Sequence, residues 1–201
     1  MSLTLADLHG RPLNFDPSAP GEFTPANGWH IDDYRQPLPS APGAFDAAKR
    51  LVTDYAFADP RVVHATYDPS SPLEGRDILL EIRFLGLRFK VGVRVGEVRD
   101  ETVTVDGREA RVWGWNYRTL ADHLEMGQMD YELWEWRGTG AVEFRIHAFS
   151  RPAPVRNPIV RLGFRIFGRR EQVRFAREAC ARMAWLVEAE LPDERSPAPA
   201  R

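Results

Sequence analysis

Two hydrophobic periods alternate along the chain, and together they predict where the helices and strands lie. In GAFDAAKRLVTDYAF (43–57) and in REQVRFAREACARMAWLVEAEL (170–191), apolar residues recur at steps of three and four. This spacing predicts two amphipathic helices. The apolar stripe of the longer, C-terminal one consists of Val173, Ala176, Cys180, Met183, Ala184, Val187 and Leu191.

Between the two helices the pattern changes to strand-like segments, some of which alternate apolar and polar residues strictly. From Val62 to Ser150, segments rich in β-branched and aromatic residues are separated by turn residues,. They are RVVHATY, DILLEIRFLG, RFKVGVRVGEV, ETVTVD, ARVWGWNYR, MDYELWEW and AVEFRIHAFS. Short connections predict an antiparallel meander, because parallel neighbours need long crossovers.

The two ends of the chain have a different composition. Residues 16–42 contain six prolines and two glycines, which predicts a loop-rich entry with an edge strand at WHIDDYRQ. The final PDERSPAPAR lacks large apolar residues and is predicted to be a disordered tail,. We therefore predict an N-terminal extension over 1–28, one domain over 29–191 and a tail over 192–201.

The long C-terminal helix needs a surface that buries its apolar stripe, and the sheet is the one partner large enough. The predicted fold is therefore α+β, a helix-grip arrangement in which a curved antiparallel sheet wraps around a long C-terminal α-helix. Such sheets often leave an apolar cavity that suits small ligands. The alternative is a β-sandwich with an appended helix, which the stripe disfavours because a sandwich already buries both inner faces.

Composition and charge narrow the functional classes. The 201 residues include 27 basic and 29 acidic side chains, a formal net charge of −2, which gives no reason to expect nucleic acid as a partner,. Cys180 is the single cysteine, so an internal disulfide and a thiolate zinc site are excluded, and a reducing, cytoplasmic setting fits,. No secretory signal and no transmembrane segment are predicted, since no basic start precedes a long uncharged apolar run,.

The strand VWGWNYR carries the most informative aromatic residues. Strict alternation places Trp113, Trp115 and Tyr117 on one face and Gly114 and Asn116 on the other,. Glycine and asparagine are poor core residues, so the aromatic face is predicted to be the buried or ligand-facing one. Two interpretations stay open: the rings fill the core under the long helix, or they line a ligand cavity.

A second aromatic pair lies on the strand MDYELWEW. Trp134 and Trp136 share a face with Asp130 and Glu132, so part of that face is predicted to be wet,. The pair is then a surface patch for a protein partner or the mouth of a cavity.

The turn TLADHLEMG is the place where the sequence offers chemistry. His123 lies two residues from Glu125, and a carboxylate there can orient the imidazole in a general acid–base pair,. In the structural interpretation, Thr119 or Asp122 bonds the local backbone and Gly127 supplies an unusual φ. Both interpretations predict a turn in which several side chains have fixed partners.

Metal and cofactor sites are not predicted. His30 with Asp32 and Asp33, or His123 with Glu125, offers nitrogen and oxygen ligands, but neither group has the H-E-x-x-H spacing of a metalloprotease,. No glycine-rich phosphate loop follows a strand, so no nucleotide cofactor is expected.

A basic stretch precedes and enters the C-terminal helix. VRNPIVRLGFRIFGRREQVRFAR (155–177) contains seven arginines among apolar residues. One interpretation is solvated arginines over a packed apolar face. The other is peripheral contact of residues 156–177 with an anionic membrane surface.

The run GWNYRTLADHLEMG (114–127) resembles a family of bacterial and plant proteins described as domain of unknown function 1990. The shared pattern is Gly-aromatic-x-Tyr-x-Thr-Leu-x-x-His-x-Glu-x-Gly, matched here by Trp115, Tyr117, Thr119, Leu120, His123, Glu125 and Gly127. FSRP at 149–152 and VRFA at 173–176 match further elements, and the resemblance spans roughly Trp29 to Ala189. Gln128 departs from the pattern, because members usually have Glu there.

This resemblance implies a branch of the START-like (SRPBCC) superfamily of polyketide cyclase and lipid-transfer proteins, and with it the helix-grip fold. Our first hypothesis is a binding module for a small hydrophobic or amphipathic molecule, held between sheet and C-terminal helix without a cofactor. Its predicted ligand-binding residues are Trp113, Trp115, Tyr117, Thr119, His123 and Arg151. The second hypothesis is a START-like cyclase or hydrolase that uses His123 and Glu125 as acid and base.

Overall fold

The computed structural model describes residues 3–84, 86–154 and 158–191, and the tail predicted at 192–201 lies outside them. Three short 3-10 turns, Ala6–Leu8, Pro20–Glu22 and Pro25–Asn27, precede the first strand. The strands and helices are β1 His30–Leu38, α1 Ala44–Thr53, β2 Val63–Thr66, β3 Asp77–Phe84, β4 Leu87–Val105, β5 Arg108–Thr119, β6 Glu125–Trp136, β7 Val142–Pro152 and α2 Pro158–Glu190.

The strands form one antiparallel sheet in the order β1-β7-β6-β5-β4-β3-β2. The predicted meander is therefore confirmed from β2 to β7, and WHIDDYRQ supplies the edge strand β1 beside β7. The long helix α2 packs on the concave face against β1 and β7, and it also contacts α1. The fold is α+β and has the helix-grip arrangement. Neither helix, over its described residues, has the apolar length that crossing a bilayer needs.

Three predicted boundaries were wrong. Helix α1 ends at Thr53, whereas the spacing of apolar residues predicted a helix as far as residue 57. RFKVGVRVGEV and ETVTVD form one strand, β4, whose pairing with β5 shifts register between Val95 and Val98 instead of ending in a turn,. Helix α2 begins at Pro158 rather than at residue 170. Proline suits a first helical position because the N–H it lacks would be unpaired there anyway. The sequence prediction depended on the apolar stripe that starts at Val173, and Gly163 and Gly168 precede that stripe.

One end of the concave face is filled by rings, and we call it the aromatic end: Tyr55, Phe57, Trp115, Tyr131 and Phe144. Each of these residues is at most 5% exposed. The ring centroid of Phe57 lies 4.4 Å from that of Tyr131 and 5.6 Å from that of Phe144. Helix α2 completes this core with Cys180, Met183 and Val187. The interpretation of the VWGWNYR rings as core is thus confirmed for Trp113 and Trp115.

The second aromatic pair lies on the convex face but is not an exposed patch. Trp134 and Trp136 are each 8% exposed. The guanidinium groups of Arg145 and Arg108 cover them, at 3.9 Å and 4.3 Å from the respective ring centroids,. Their indole N–H groups donate to the carboxylates of Glu132 and Glu143. The charged neighbours that predicted a wet face therefore shield the rings from water.

The N-terminal segment also packs on the convex face. Leu8 contacts Leu79 and Leu120 in a small buried cluster. Further along the sheet, the ring of Phe149 stacks on that of Phe23, with centroids 4.3 Å apart. The predicted loop-rich extension is thus attached to the domain by apolar contacts, while the concave face is left to α1 and α2.

Candidate functional site

Polar side chains gather on the concave face at the end opposite the rings, and we call this group the polar end: Asp32, Glu125, Ser150, Arg169 and Gln172. The strand register explains how three of them share the face. Gly127 pairs with Ser150, and Asp32 pairs with Ala148. Since residues two apart on a strand point the same way, Glu125, Ser150 and Asp32 all point toward α2, which contributes Arg169 and Gln172.

Polar contacts attach α2 to the sheet at this end. Gln172 Nε2 donates to Glu125 Oε2 at 2.5 Å and to Ser150 Oγ at 3.2 Å. Arg169 forms an ion pair with Asp32, in which Nη2 donates to Oδ1 at 2.6 Å. A charge-assisted pair and a bridging amide therefore hold the same helix that apolar side chains hold at the aromatic end.

The carboxyl group of Glu125 has unusual acidity. Its side chain is only partly exposed and protein atoms surround it, so desolvation raises its pKa to about 8, against weaker opposing effects of the Gln172 amide and the Arg169 charge,. At neutral pH the carboxyl is therefore mostly protonated. It can then donate a hydrogen bond or a proton, which an ordinary surface glutamate cannot do.

The side chains of Tyr131, Tyr117 and Met129 connect the aromatic end to the polar end. The hydroxyl of Tyr131 lies 3.2 Å from that of Tyr55 and 3.0 Å from Met129 Sδ. On β5, Tyr117 follows Trp115 on the same face of the strand, and its hydroxyl lies 3.7 Å from the Met129 sulfur. Burial raises the pKa of Tyr117 to about 12. Tyr131 is fully buried, whereas Tyr117 and Met129 are half-buried. The closed core therefore ends between Tyr131 and Met129.

His123 is buried in the turn between β5 and β6, but it does not form the predicted acid–base pair. Its Nδ1 lies 3.0 Å from the backbone nitrogen of Glu125 and 3.1 Å from its backbone oxygen. The Glu125 carboxyl bonds instead to Gln172. Burial lowers the pKa of His123 to about 4, so the imidazole is neutral at pH 7,. The backbone of Glu125, and not its carboxylate, orients the ring.

Thr119 and Gly127 give the same turn its shape. The Thr119 hydroxyl accepts from Gly127 N at 2.9 Å and donates to Asn14 Oδ1 at 2.6 Å. Gly127 has a φ of +153°, and an added Cβ would lie 2.0 Å from the carbonyl oxygen of Phe149. Both residues therefore have the structural role that the turn interpretation gives them.

The structure does not bring the six predicted ligand-binding residues together. Trp113 and Trp115 belong to the closed core, Thr119 and His123 belong to the turn, and Tyr117 borders the polar end. Arg151 points to the convex face, where its guanidinium lies 4.5 Å from the ring centroid of Trp29.

The sequence analysis assigned none of the other four members of the polar end to this site. It named Asp32 among possible metal ligands and Ser150 within the FSRP element. Asp32 and Ser150 had a detectable sequence pattern: each is a small polar residue on the inward face of a strand that otherwise alternates. Arg169 precedes the predicted helix and Gln172 lies outside its apolar stripe, so nothing in the sequence connected them to this site. The two groups weighed as possible metal ligands, His30 with Asp32 and Asp33 and His123 with Glu125, were not predicted to bind metal. In the described part of the chain, no three His, Cys, Asp or Glu side chains meet as metal ligands would.

The basic stretch is described only in part. Residues 155–157 and the side chains of 158–168 lie outside the description, so membrane contact through 156–177 stays a prediction. Of the remaining arginines, Arg169 pairs with Asp32 and Arg174 pairs with Glu178.

Comparison with known proteins adds a family and a set of similar structures. The family model described as Domain of unknown function (DUF1990) matches residues 17–182. No curated protein matches the sequence significantly.

Among solved structures, Ara h 8.0201 is similar with a TM-score of 0.47 and 8% identity, over 81% of this chain and 100% of that one. TTHA0849 from Thermus thermophilus is similar with a TM-score of 0.48 and 8% sequence identity. The match covers 82% of this chain and 99% of that one. SA2116 from Staphylococcus aureus, a protein of unknown function, has a TM-score of 0.43 and 11% sequence identity. That match covers 80% of this chain and 94% of the other. Similarity at this level carries no information on function.

Proposed function

The chain belongs to the DUF1990 family, and from this premise and the geometry of its concave face we propose that it binds a small amphipathic molecule at the polar end, between the sheet and α2. The observation that carries the proposal is the desolvated carboxyl of Glu125, held by Gln172 beside Ser150 where the closed apolar core ends. Polar groups in such a position are costly unless they have partners. A ligand with its own polar group supplies further partners.

The side chains around Glu125 indicate which ligand chemistry fits. Protonated Glu125 donates a hydrogen bond, while Ser150 and the Gln172 amide both donate and accept. These groups suit a neutral hydroxyl, carbonyl or amide on the ligand. Tyr117 and Met129 provide the adjoining apolar contact, and the flexible thioether of methionine adapts to irregular shapes. The apolar part of the ligand therefore lies toward the aromatic end.

His123 and Glu125 as a catalytic pair receive no support from this geometry. The imidazole is neutral and is bonded to the Glu125 backbone, and the carboxyl faces Gln172. We therefore propose a binding protein rather than an acid–base enzyme.

The test is to identify what co-purifies with the protein. Protein prepared without detergent is extracted with organic solvent, and the extract is analysed by mass spectrometry. The variant Met129→Trp places an indole where the ligand would lie. Thr104→Trp adds the same ring at an exposed position on β4 and serves as the matched control. We expect an amphipathic compound in near-stoichiometric amount from the wild type and from Thr104→Trp, and at least about a tenfold loss from Met129→Trp, which corresponds to about 1.4 kcal/mol.

Two outcomes would contradict the proposal. One is a wild-type extract without any enriched compound. The other is an equal yield from Met129→Trp, since a ligand unaffected by that ring binds elsewhere.

A further inference from the structure

A separate cleft lies between the N-terminal segment and the loop that joins β2 to β3. Its volume is about 300 Å³, and Leu5, His9, Pro72 and Arg76 are among the residues that line it. It is distinct from the polar end, since none of its lining residues belongs to that group.

Arg76 is the unusual residue of this cleft, because it is buried and, among the described residues, no carboxylate oxygen lies within 4.0 Å of its guanidinium nitrogens. The residue is 8% exposed. Its Nη2 donates to the carbonyl oxygen of Ser71 at 2.6 Å, and its guanidinium carbon lies 4.9 Å from the ring centroid of Tyr67. Within the described chain, Nε has no hydrogen-bond partner and no carboxylate forms an ion pair with Arg76. The neighbouring carboxylate of Asp77 pairs instead with Arg94, at 2.7 Å.

A buried guanidinium with an unpaired Nε–H needs a hydrogen-bond acceptor. Arginine stays protonated at any physiological pH, so it cannot relieve burial by losing its charge. An unpaired buried charge is strongly unfavourable, and the planar guanidinium fork matches the two oxygens of a carboxylate. We propose that this cleft binds a small monocarboxylate, with its oxygens on Arg76 and its short apolar tail against Leu5 and Pro72.

The acidic residues of the cleft limit the charge of the ligand. Asp68 and Glu74 line it together with Asp77. The carboxylate of Asp68 accepts from Ser70 N at 2.9 Å and from Ser70 Oγ at 2.7 Å, and these bonds keep it ionised. Since Asp77 is paired with Arg94, Arg76 faces the carboxylates of Asp68 and Glu74, and the lining is net negative. A net negative lining opposes a dianion about twice as strongly as a monoanion at the same distance. The cleft therefore favours a carboxylate over a phosphate dianion.

The backbone around Arg76 is fixed before any ligand arrives. Gly75 N donates to Val95 O at 3.0 Å, and Val95 N donates to Arg76 O at 2.9 Å. The residue is thus anchored on β4 from both sides. A preorganised donor loses little entropy on binding, which suits a small ligand with few contacts.

The test follows the Nε–H resonance of Arg76 by ¹H–¹⁵N NMR while sodium butyrate is added to the full chain. We expect a saturable shift with half-saturation at or below about 10 mM. At pH 8, phosphate is expected to bind at least about fivefold more weakly, because it is then a dianion. Sodium chloride at equal ionic strength is expected to give no saturable shift.

Variants assign the binding to one side chain. Arg76→Gln is expected to abolish the butyrate response of the neighbouring Gly75 amide. The matched control Arg83→Gln removes an exposed arginine of β3, the strand that begins directly after Arg76. Arg83 is paired with Glu81 outside the cleft, and the variant is expected to retain that response. The wild-type titration decides the matter even when Arg76→Gln fails to fold. A linear, unsaturated shift, an equal shift with chloride, or full butyrate binding by Arg76→Gln would each overturn the proposal.

Discussion

The two ends of the concave face share strands β6 and β7, yet they hold α2 by different means. At the aromatic end, Met183 and Val187 of α2 enter a core of rings and are fully buried. At the polar end, Gln172 and Arg169 bond to Glu125 and Asp32, and the surrounding side chains are half-buried. Within one helix, the contacts change from apolar to polar over about three turns.

The difference separates the part of the interior that stabilises the fold from the part where we propose that a ligand binds. Close-packed rings leave little space to fill, and the unpaired polar atom among them is the indole nitrogen of Trp115, which has no hydrogen-bond partner within the described residues. A desolvated carboxyl and a bridging amide are costly to maintain in a protein interior, and they contribute little to stability unless every group is paired. We therefore assign stability to the aromatic end and binding to the polar end.

The largest expected effect concerns the aromatic end. Phe57→Ala removes a fully buried ring that packs on Tyr131 and Phe144, and we expect it to lower the free energy of unfolding by about 3–5 kcal/mol,. Chemical denaturation monitored by tryptophan fluorescence measures this change. Leu87→Ala truncates an apolar residue that is 59% exposed, and its expected cost is below about 0.5 kcal/mol,. Equal costs for the two variants would show that the rings do not form a closed core.

A smaller effect, which depends on pH, concerns the polar end. The folded-state pKa of Glu125 is raised to about 8 from an ordinary value of 4.5. Between these values the native state keeps a proton that the unfolded state releases, so the contribution of Glu125 to stability is complete below pH 4.5 and is lost as the pH rises toward 8.

Glu125→Gln keeps the shape and removes the titration. Relative to this variant, we expect the wild type to lose about 2–4 kcal/mol of stability between pH 5 and pH 8. Denaturation curves of both proteins across this range measure the difference, and His123 affects both proteins alike. Parallel pH profiles would mean that the Glu125 carboxyl is solvated like one at the surface.

Much of the aromatic end was predictable from the sequence, because period two along VWGWNYR places Trp113 and Trp115 on one face. Tyr55 falls within the helix predicted over 43–57, but it lies beyond the end of α1 with a φ of +58°. Phe57 follows it in a loop, where no periodicity indicates which way a ring points. The hydrophobic periodicity therefore predicted the core residues on the strand, Trp113 and Trp115, but not the loop residue Phe57.

The polar end was less predictable because its members come from distant parts of the chain. Asp32, Glu125, Ser150 and Gln172 lie on four different elements, and only the sheet register and the position of α2 bring them together. The motif in TLADHLEMG correctly drew attention to Glu125. It also suggested His123 as the partner, since residues two apart in sequence look adjacent, whereas in the folded turn the backbone of Glu125 occupies that position.

The most direct test compares one methyl group at each end of the concave face. In protein labelled with ¹³C at the methionine methyls, Met129 reports on the polar end and Met183 on the aromatic end, while Met126 of β6 is an internal reference. The neutral amphipathic probe 1-decanol is titrated in. Our account predicts a saturable shift of the Met129 methyl resonance, with the Met183 and Met126 resonances unchanged. A shift of Met183 as large as that of Met129, or no saturable shift of Met129, would contradict it.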